Sequence, residues 1–116
     1  MKIKVPTKID LNGFLVEVRY FNLLKDNERL CGEFKAPNII EIAIAEHATK
    51  SELLSTIKHE LFHAVFCRTG IHHMFPSDME EGVVRALENH LCKTLKFDTK
   101  SWVDTQFIDL RKDKEH

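Results

Sequence analysis

The sequence predicts an α+β fold: a small, mainly antiparallel sheet of about three strands, then two packed helices and a short C-terminal helix. Three observations support this order. Residues 14–21 alternate apolar and polar side chains, residues 49–70 carry start and stop signals around a helical apolar period, and residues 76–95 repeat that helical pattern. At 116 residues, with no repeats, low-complexity tracts or Pro/Gly/Ser-rich linkers, the chain is expected to form one domain over residues 1–116.

The first strand, FLVEVRYF, sets Phe14, Val16, Val18 and Tyr20 on one face and Leu15, Glu17 and Arg19 on the other. Asp26-Asn27-Glu28 reads as a turn. The segments LCGEF and NIIEIAIA continue the sheet, broken at Pro37-Asn38, with Ile40, Ile42 and Ile44 alternating with Glu41 and Ala43. Thr49-Lys50-Ser51-Glu52 has the capping-box form, because a Thr side chain can take the first free helical N–H while the Glu reaches back. The helix that starts there is expected to stop at Gly70. It places Leu54, Ile57, Leu61 and Val65 on one side and His59, Phe62, His63 and Phe66 on a neighbouring side. A second helix is expected to open at Pro76-Ser77-Asp78, with Val84, Leu87 and Leu91 facing inward, and SWVDTQFIDLRKDKEH to form a short third helix.

Charge narrows the function. With 17 basic and 18 acidic residues, net −1, the chain has no concentration of positive charge, which excludes nucleic acid and an anionic membrane as expected partners. A peptide or protein partner is compatible with it. The N-terminal residues 1–13 hold one basic cluster but no apolar run or small-residue cleavage site, and no later stretch is long enough to span a membrane, so a cytoplasmic protein is expected. Cys31, Cys67 and Cys92 are odd in number and widely spaced, which fits reduced, buried thiols better than a disulfide frame.

The chemistry concentrates in TIKHELFHAV, residues 56–65. Two residues four apart on a helix project from one face, so His59 and His63 can point at one metal ion, and neutral imidazole suits zinc. Glu60 is rotated by about 100° from His59, beside the metal, where it can act as a general base. With seven histidines in the chain, chance would produce such a pattern roughly once in twenty-five sequences of this composition. The uninterrupted helix and its apolar neighbours Ile57, Leu61, Ala64 and Val65 strengthen the signal.

The stretch resembles the HExxH helix of zincin metallopeptidases. The resemblance implies that His59 and His63 are zinc ligands and that Glu60 activates a zinc-bound water for peptide-bond hydrolysis. A catalytic zinc takes a third protein ligand. The metzincin pattern would place Gly at 66 and His at 69, where this chain has Phe66 and Thr69. His72 and His73 follow the helix and remain weaker alternatives. The pair Glu80-Glu81 resembles the gluzincin arrangement, in which a glutamate from a following helix completes the site. Glu80 is slightly favoured because it shares the ridge of Val84, Leu87 and Leu91, whereas Glu81 shares a more solvated side with Arg85 and Glu88. Both also read as capping-box residues, after Ser77 and Asp78.

Strands leading into HELFHAVF, then a helix of the form EExVVRALExxL, resemble minimal zincin-like proteins related to the ImmA/IrrE-like and SprT-like families, small versions of which are phage or prophage encoded. That resemblance covers roughly residues 30–95 and implies one zinc ion and a peptide or protein substrate. It also implies an exposed edge strand for substrate, for which NIIEIAIA is the candidate. Tyr20, His72 and His73 are candidates for stabilising the oxyanion. The competing expectation is a non-catalytic zincin-fold module that binds and modulates a partner protein. The oligomeric state is open, with Phe75, Trp102 and Phe107 expected in the core.

Overall fold

The computed structural model describes residues 2–24, 30–90 and 99–110. β1 (Lys2–Leu11) and β2 (Phe14–Phe21) form an antiparallel hairpin through Asn12-Gly13, both at positive φ, 52° and 90°. Asn and Gly tolerate that conformation, and its twist matches the strands it joins. β3 (Gly32–Lys35), β4 (Ile39–Ala43) and β5 (Trp102–Asp109) complete a five-stranded sheet in the order β3-β4-β2-β1-β5. β2 and β4 run parallel, and the other pairs are antiparallel. The helices are α1 (Lys50–Thr69) and α2 (Ser77–His90).

Two expectations are corrected. The sheet has five strands, not about three; it is mainly antiparallel as expected, with the one parallel pair β2·β4 making it mixed. The C-terminal segment is a strand, not a short helix: β5 pairs with β1 from Lys2↔Asp109 to Ile9↔Trp102. A distant partner decides this, because β5 buries one face only weakly and exposes Val103 and Phe107, the latter against its expected core position. The turn at 26–28, Leu91, Cys92 and the rest of 91–95 lie outside the described residues.

Pro6 has no N–H to give the ladder, and the β1·β5 register shifts just after it. Its carbonyl accepts the Tyr20 hydroxyl at 2.5 Å, so the phenol packs against the core with its polar end satisfied. Ile3, Val5, Ile9, Val16, Val18, Ile40 and Ile42 form the buried face of the sheet, as the alternation in residues 14–21 and 39–43 requires. Each such side chain contributes about 1.5–3 kcal/mol on full burial.

α1 covers that face. Thr49 accepts the Glu52 N–H, the Glu52 carboxylate reaches back to the Ala48 N–H, and Gly70 closes the helix at φ 81°. The helix buries Leu53, Ile57, Leu61 and Ala64, at spacings of four, four and three. Leu54 is only half-buried and Val65 is exposed, so the apolar stripe is turned by one residue from the expected one. Buried His47 fastens the end of β4 to this helix: its Nδ1 donates to the Ala43 carbonyl at 2.8 Å, and its Nε2 lies 2.8 Å from the Thr56 hydroxyl. On the same helix turn, a Cβ at Gly32 would lie 2.7 Å from Thr56 Cγ2. Glycine therefore lets β3 approach α1 closely, and this closeness defines one wall of the site.

Cys31 is exposed and Cys67 half-buried, both free, which corrects the expectation of buried thiols. Among the described residues, no helix is long and apolar enough to cross a membrane.

Candidate metal centre

His59 and His63 stand one turn apart on α1, with ring centroids 5.2 Å apart and planes at 63°. Both rings are mostly covered, so they sit at the floor of the site and not on an open helix face. α2 packs across them with its acidic residues inward. His59 Nε2 lies 3.0 Å from Glu81 Oε2, and His63 Nε2 lies 2.9 Å from Glu81 Oε1. The opposite nitrogens face two other carboxylates: His59 Nδ1 donates to Glu88 at 2.9 Å and His63 Nδ1 to Glu80 at 2.5 Å.

Both nitrogens of each ring therefore meet carboxylate oxygens. A neutral imidazole has a single N–H, so one nitrogen of each ring would meet Glu oxygens lone pair to lone pair unless a cation stands between them. A second proton can fill that role, and so can a metal ion. Ligand atoms of His59, His63 and Glu81 all lie within 4.8 Å of one another, a group that can hold a metal ion. The donor chemistry fits: two imidazoles and one carboxylate form a usual zinc set, and Glu80 and Glu88 direct the Nδ1 hydrogens outward so that both Nε2 lone pairs face Glu81. No family model, curated protein or solved structure matches the chain. The zincin resemblance therefore rests on this His/His/Glu group and its helix.

Electrostatics separate the members of the site. Burial alone would lower the His63 pKa, but hydrogen bonding to Glu80 and the charges of Glu60 and Glu81 outweigh it and raise the pKa above 6.5. Glu81 moves the other way. Burial would raise its pKa, yet the two histidines and Arg85 hold it below 4.5. Glu60, only 8% exposed, is pushed above 4.5 by burial, against the lowering effect of His59, His63 and a hydrogen bond from the Phe34 backbone.

The structure brings together His59, Glu60, His63, Glu80 and Glu81. Of the acidic pair, Glu81 faces both Nε2 atoms and Glu80 takes the outer, Nδ1 side of His63, the reverse of the slight sequence preference. The rotation of α2 about its own axis explains this. On the ridge Glu81-Arg85-Glu88, at spacings of four and three, Glu81 and Glu88 reach the histidines while Arg85 stays exposed at the cleft, and Val84 keeps the neighbouring ridge buried. Glu88 is the functional candidate that the sequence reading left on a solvated face. Its signal is present in that spacing, since it lies two turns beyond Glu81.

These groups line a cleft of about 800 Å³ between α1, α2 and β3. Tyr20 is not among the lining residues; its hydroxyl is held by Pro6 on the sheet, and burial pushes its pKa up. His73 is exposed in the 3-10 turn Ile71–Met74 after α1 and also does not line the cleft. The His72 side chain lies outside what the structure describes.

The candidate edge strand changes as well. Within NIIEIAIA, Ile39–Ala43 forms β4, paired on both sides so that its edges are taken, while Ile44 and Ala45 leave the strand for a 3-10 turn, against the expected alternation. β3 is the edge at the cleft. The Cys31 carbonyl accepts the Ala43 N–H, so by strand alternation Gly32 and Phe34 turn their backbone groups away from β4, toward the site.

Proposed function

We propose that the chain is a zinc-dependent peptidase. One observation carries the reading: the Glu81 carboxylate spans the Nε2 atoms of His59 and His63, with the buried Glu60 carboxylate beside them on the same helix. His59, His63 and Glu81 would hold the ion, three protein ligands that leave a position open. Zinc, when bound, supplies a Lewis acid that polarises a peptide carbonyl and makes water acidic.

The remaining work belongs to the protein. Glu60 would accept the proton of the attacking water and return it to the leaving amine, from its buried place beside the two histidines. Glu80 and Glu88 hold the two rings in one tautomer and orientation. The Phe34 N–H restrains Glu60 from the strand side. The free edge of β3 offers backbone donors and acceptors to an extended polypeptide, which supports a peptide or protein substrate bound by strand addition.

The test is cleavage of a peptide library by zinc-loaded wild type and by Glu60→Gln. The variant is expected to keep zinc and lose cleavage by a factor of about 10²–10⁴. A wild type that holds zinc and cuts nothing would instead favour a module that binds a partner protein.

A further inference from the structure

Arg85 lines the cleft from α2, and the role assigned to it rests on the peptidase reading. Its Nε donates to Glu81 Oε2 at 3.1 Å, the oxygen that also lies 3.0 Å from His59 Nε2. The guanidinium is thus tied to the metal group through one N–H. Its side chain is 68% exposed, and among the described residues Glu81 is the one side chain that pairs with it. An ordinary Glu–Arg pair four residues apart would need only a solvated helix face. Here the pair lies at the mouth of the site.

The charges around it give the arrangement meaning. The acidic side chains lining the cleft are Glu33, Glu60, Glu80, Glu81 and Glu88. Among the described lining residues Arg85 carries the one permanent positive charge. A substrate carboxylate is repelled by these acidic side chains, and beside the ion that the His/His/Glu group would hold, Arg85 is the side chain that attracts it. Guanidinium is suited to that role: planar, charged at every working pH, and able to offer paired donors to a carboxylate.

We propose that Arg85 docks a carboxylate of the peptide substrate next to the scissile bond, so that the enzyme prefers peptides with one negative charge at a fixed distance from the cut and neutral or basic residues elsewhere. Two sources share this chemistry, a C-terminal α-carboxylate and an Asp or Glu side chain.

The test is binding, which does not depend on turnover. Zinc-loaded Glu60→Gln protein, with and without Arg85→Ala or Arg85→Lys, is titrated by fluorescence anisotropy against three labelled peptide pools. One has a free C-terminus and no acidic residue, one is C-terminally amidated and contains Glu, and one is amidated with Gln in place of Glu. At least one carboxylate pool is expected to bind about tenfold more tightly than the amidated Gln pool. That advantage should vanish in Arg85→Ala and survive in part in Arg85→Lys, with zinc content unchanged. Tighter binding of the free-C-terminus pool assigns the α-carboxylate, and of the Glu pool the side chain. Equal binding of all three pools, no binding of any, an advantage that persists in Arg85→Ala, or loss of zinc together with the advantage would each overturn the proposal. Failure of the wild type to cleave while the advantage stands would count against the peptidase reading and leave Arg85 in place as a docking residue.

Discussion

His63 Nε2 lies 2.9 Å from Oε1 of Glu81, while the other oxygen of the same carboxylate lies 3.0 Å from His59 Nε2. One side chain on α2 thus closes over two on α1, and the outer carboxylates Glu80 and Glu88 fix the rings from behind. Removing either outer carboxylate should loosen a ring without deleting a ligand. Glu80→Gln and Glu88→Gln are expected to weaken zinc binding by about 10–100-fold while keeping one zinc per chain at saturation, measured by competition with a chromophoric chelator. Unchanged affinity in both would show that the rings need no such support.

In the metal-free protein the same contacts make stability depend on pH. The folded His63 pKa is raised, so its contribution is full below its unfolded value of 6.5 and is lost as pH rises through the folded value. Glu81 is lowered, so its contribution is present above 4.5 and lost as pH falls through its folded value. Thermal melts in a chelator should therefore show a falling Tm between pH 6.5 and 8.5. His63→Ala should flatten that slope, and zinc should abolish it in wild type by replacing the protons. A Tm that rises with pH over this range in metal-free wild type would contradict the account.

Glu60 illustrates a conflict between stability and chemistry. Its pKa is raised, so the folded state holds its proton more tightly and loses stability as pH rises above 4.5. Glu60→Gln removes that burden, and the metal-free variant should melt higher than wild type at pH 7.5, with the gain shrinking toward pH 4. A variant that melts lower at pH 7.5 would mean that the carboxylate is held more favourably than its burial implies.

The wall formed by β3 depends on Gly32. Gly32→Ala should cost roughly 1–3 kcal/mol, because the added Cβ meets Thr56 Cγ2 at 2.7 Å. Thr56→Ser removes that methyl while keeping the hydroxyl beside His47, and should recover part of the loss in a double-mutant cycle by urea denaturation. Strict additivity of the two changes would rule out this contact as the cause.

α1 and its histidine pair were legible because their signals are local: a capping box at Thr49 and Glu52, a stop at Gly70, and His59 and His63 at helical spacing. β2 was legible for the same reason, its alternation matching the buried Val16 and Val18. β1 and β5 were not: they pair with each other across about a hundred residues, β1 joins β2 only from Lys8 on, and Pro6 and the exposed Val103 and Phe107 blur their alternation. The Asn12-Gly13 pair is the one local sign that β1 and β2 form a hairpin. The choice between Glu80 and Glu81 turns on a rotation of α2 by about 100°, which tertiary packing sets and neighbouring residues do not encode.

Native mass spectrometry of wild type and Glu81→Gln after zinc-supplemented expression would read zinc on the His59, His63 and Glu81 group itself. One zinc ion is expected on each wild-type chain, and none, or a readily lost one, on Glu81→Gln. A wild type free of zinc, or a Glu81→Gln variant that holds zinc as firmly as wild type, would contradict zinc binding by this group.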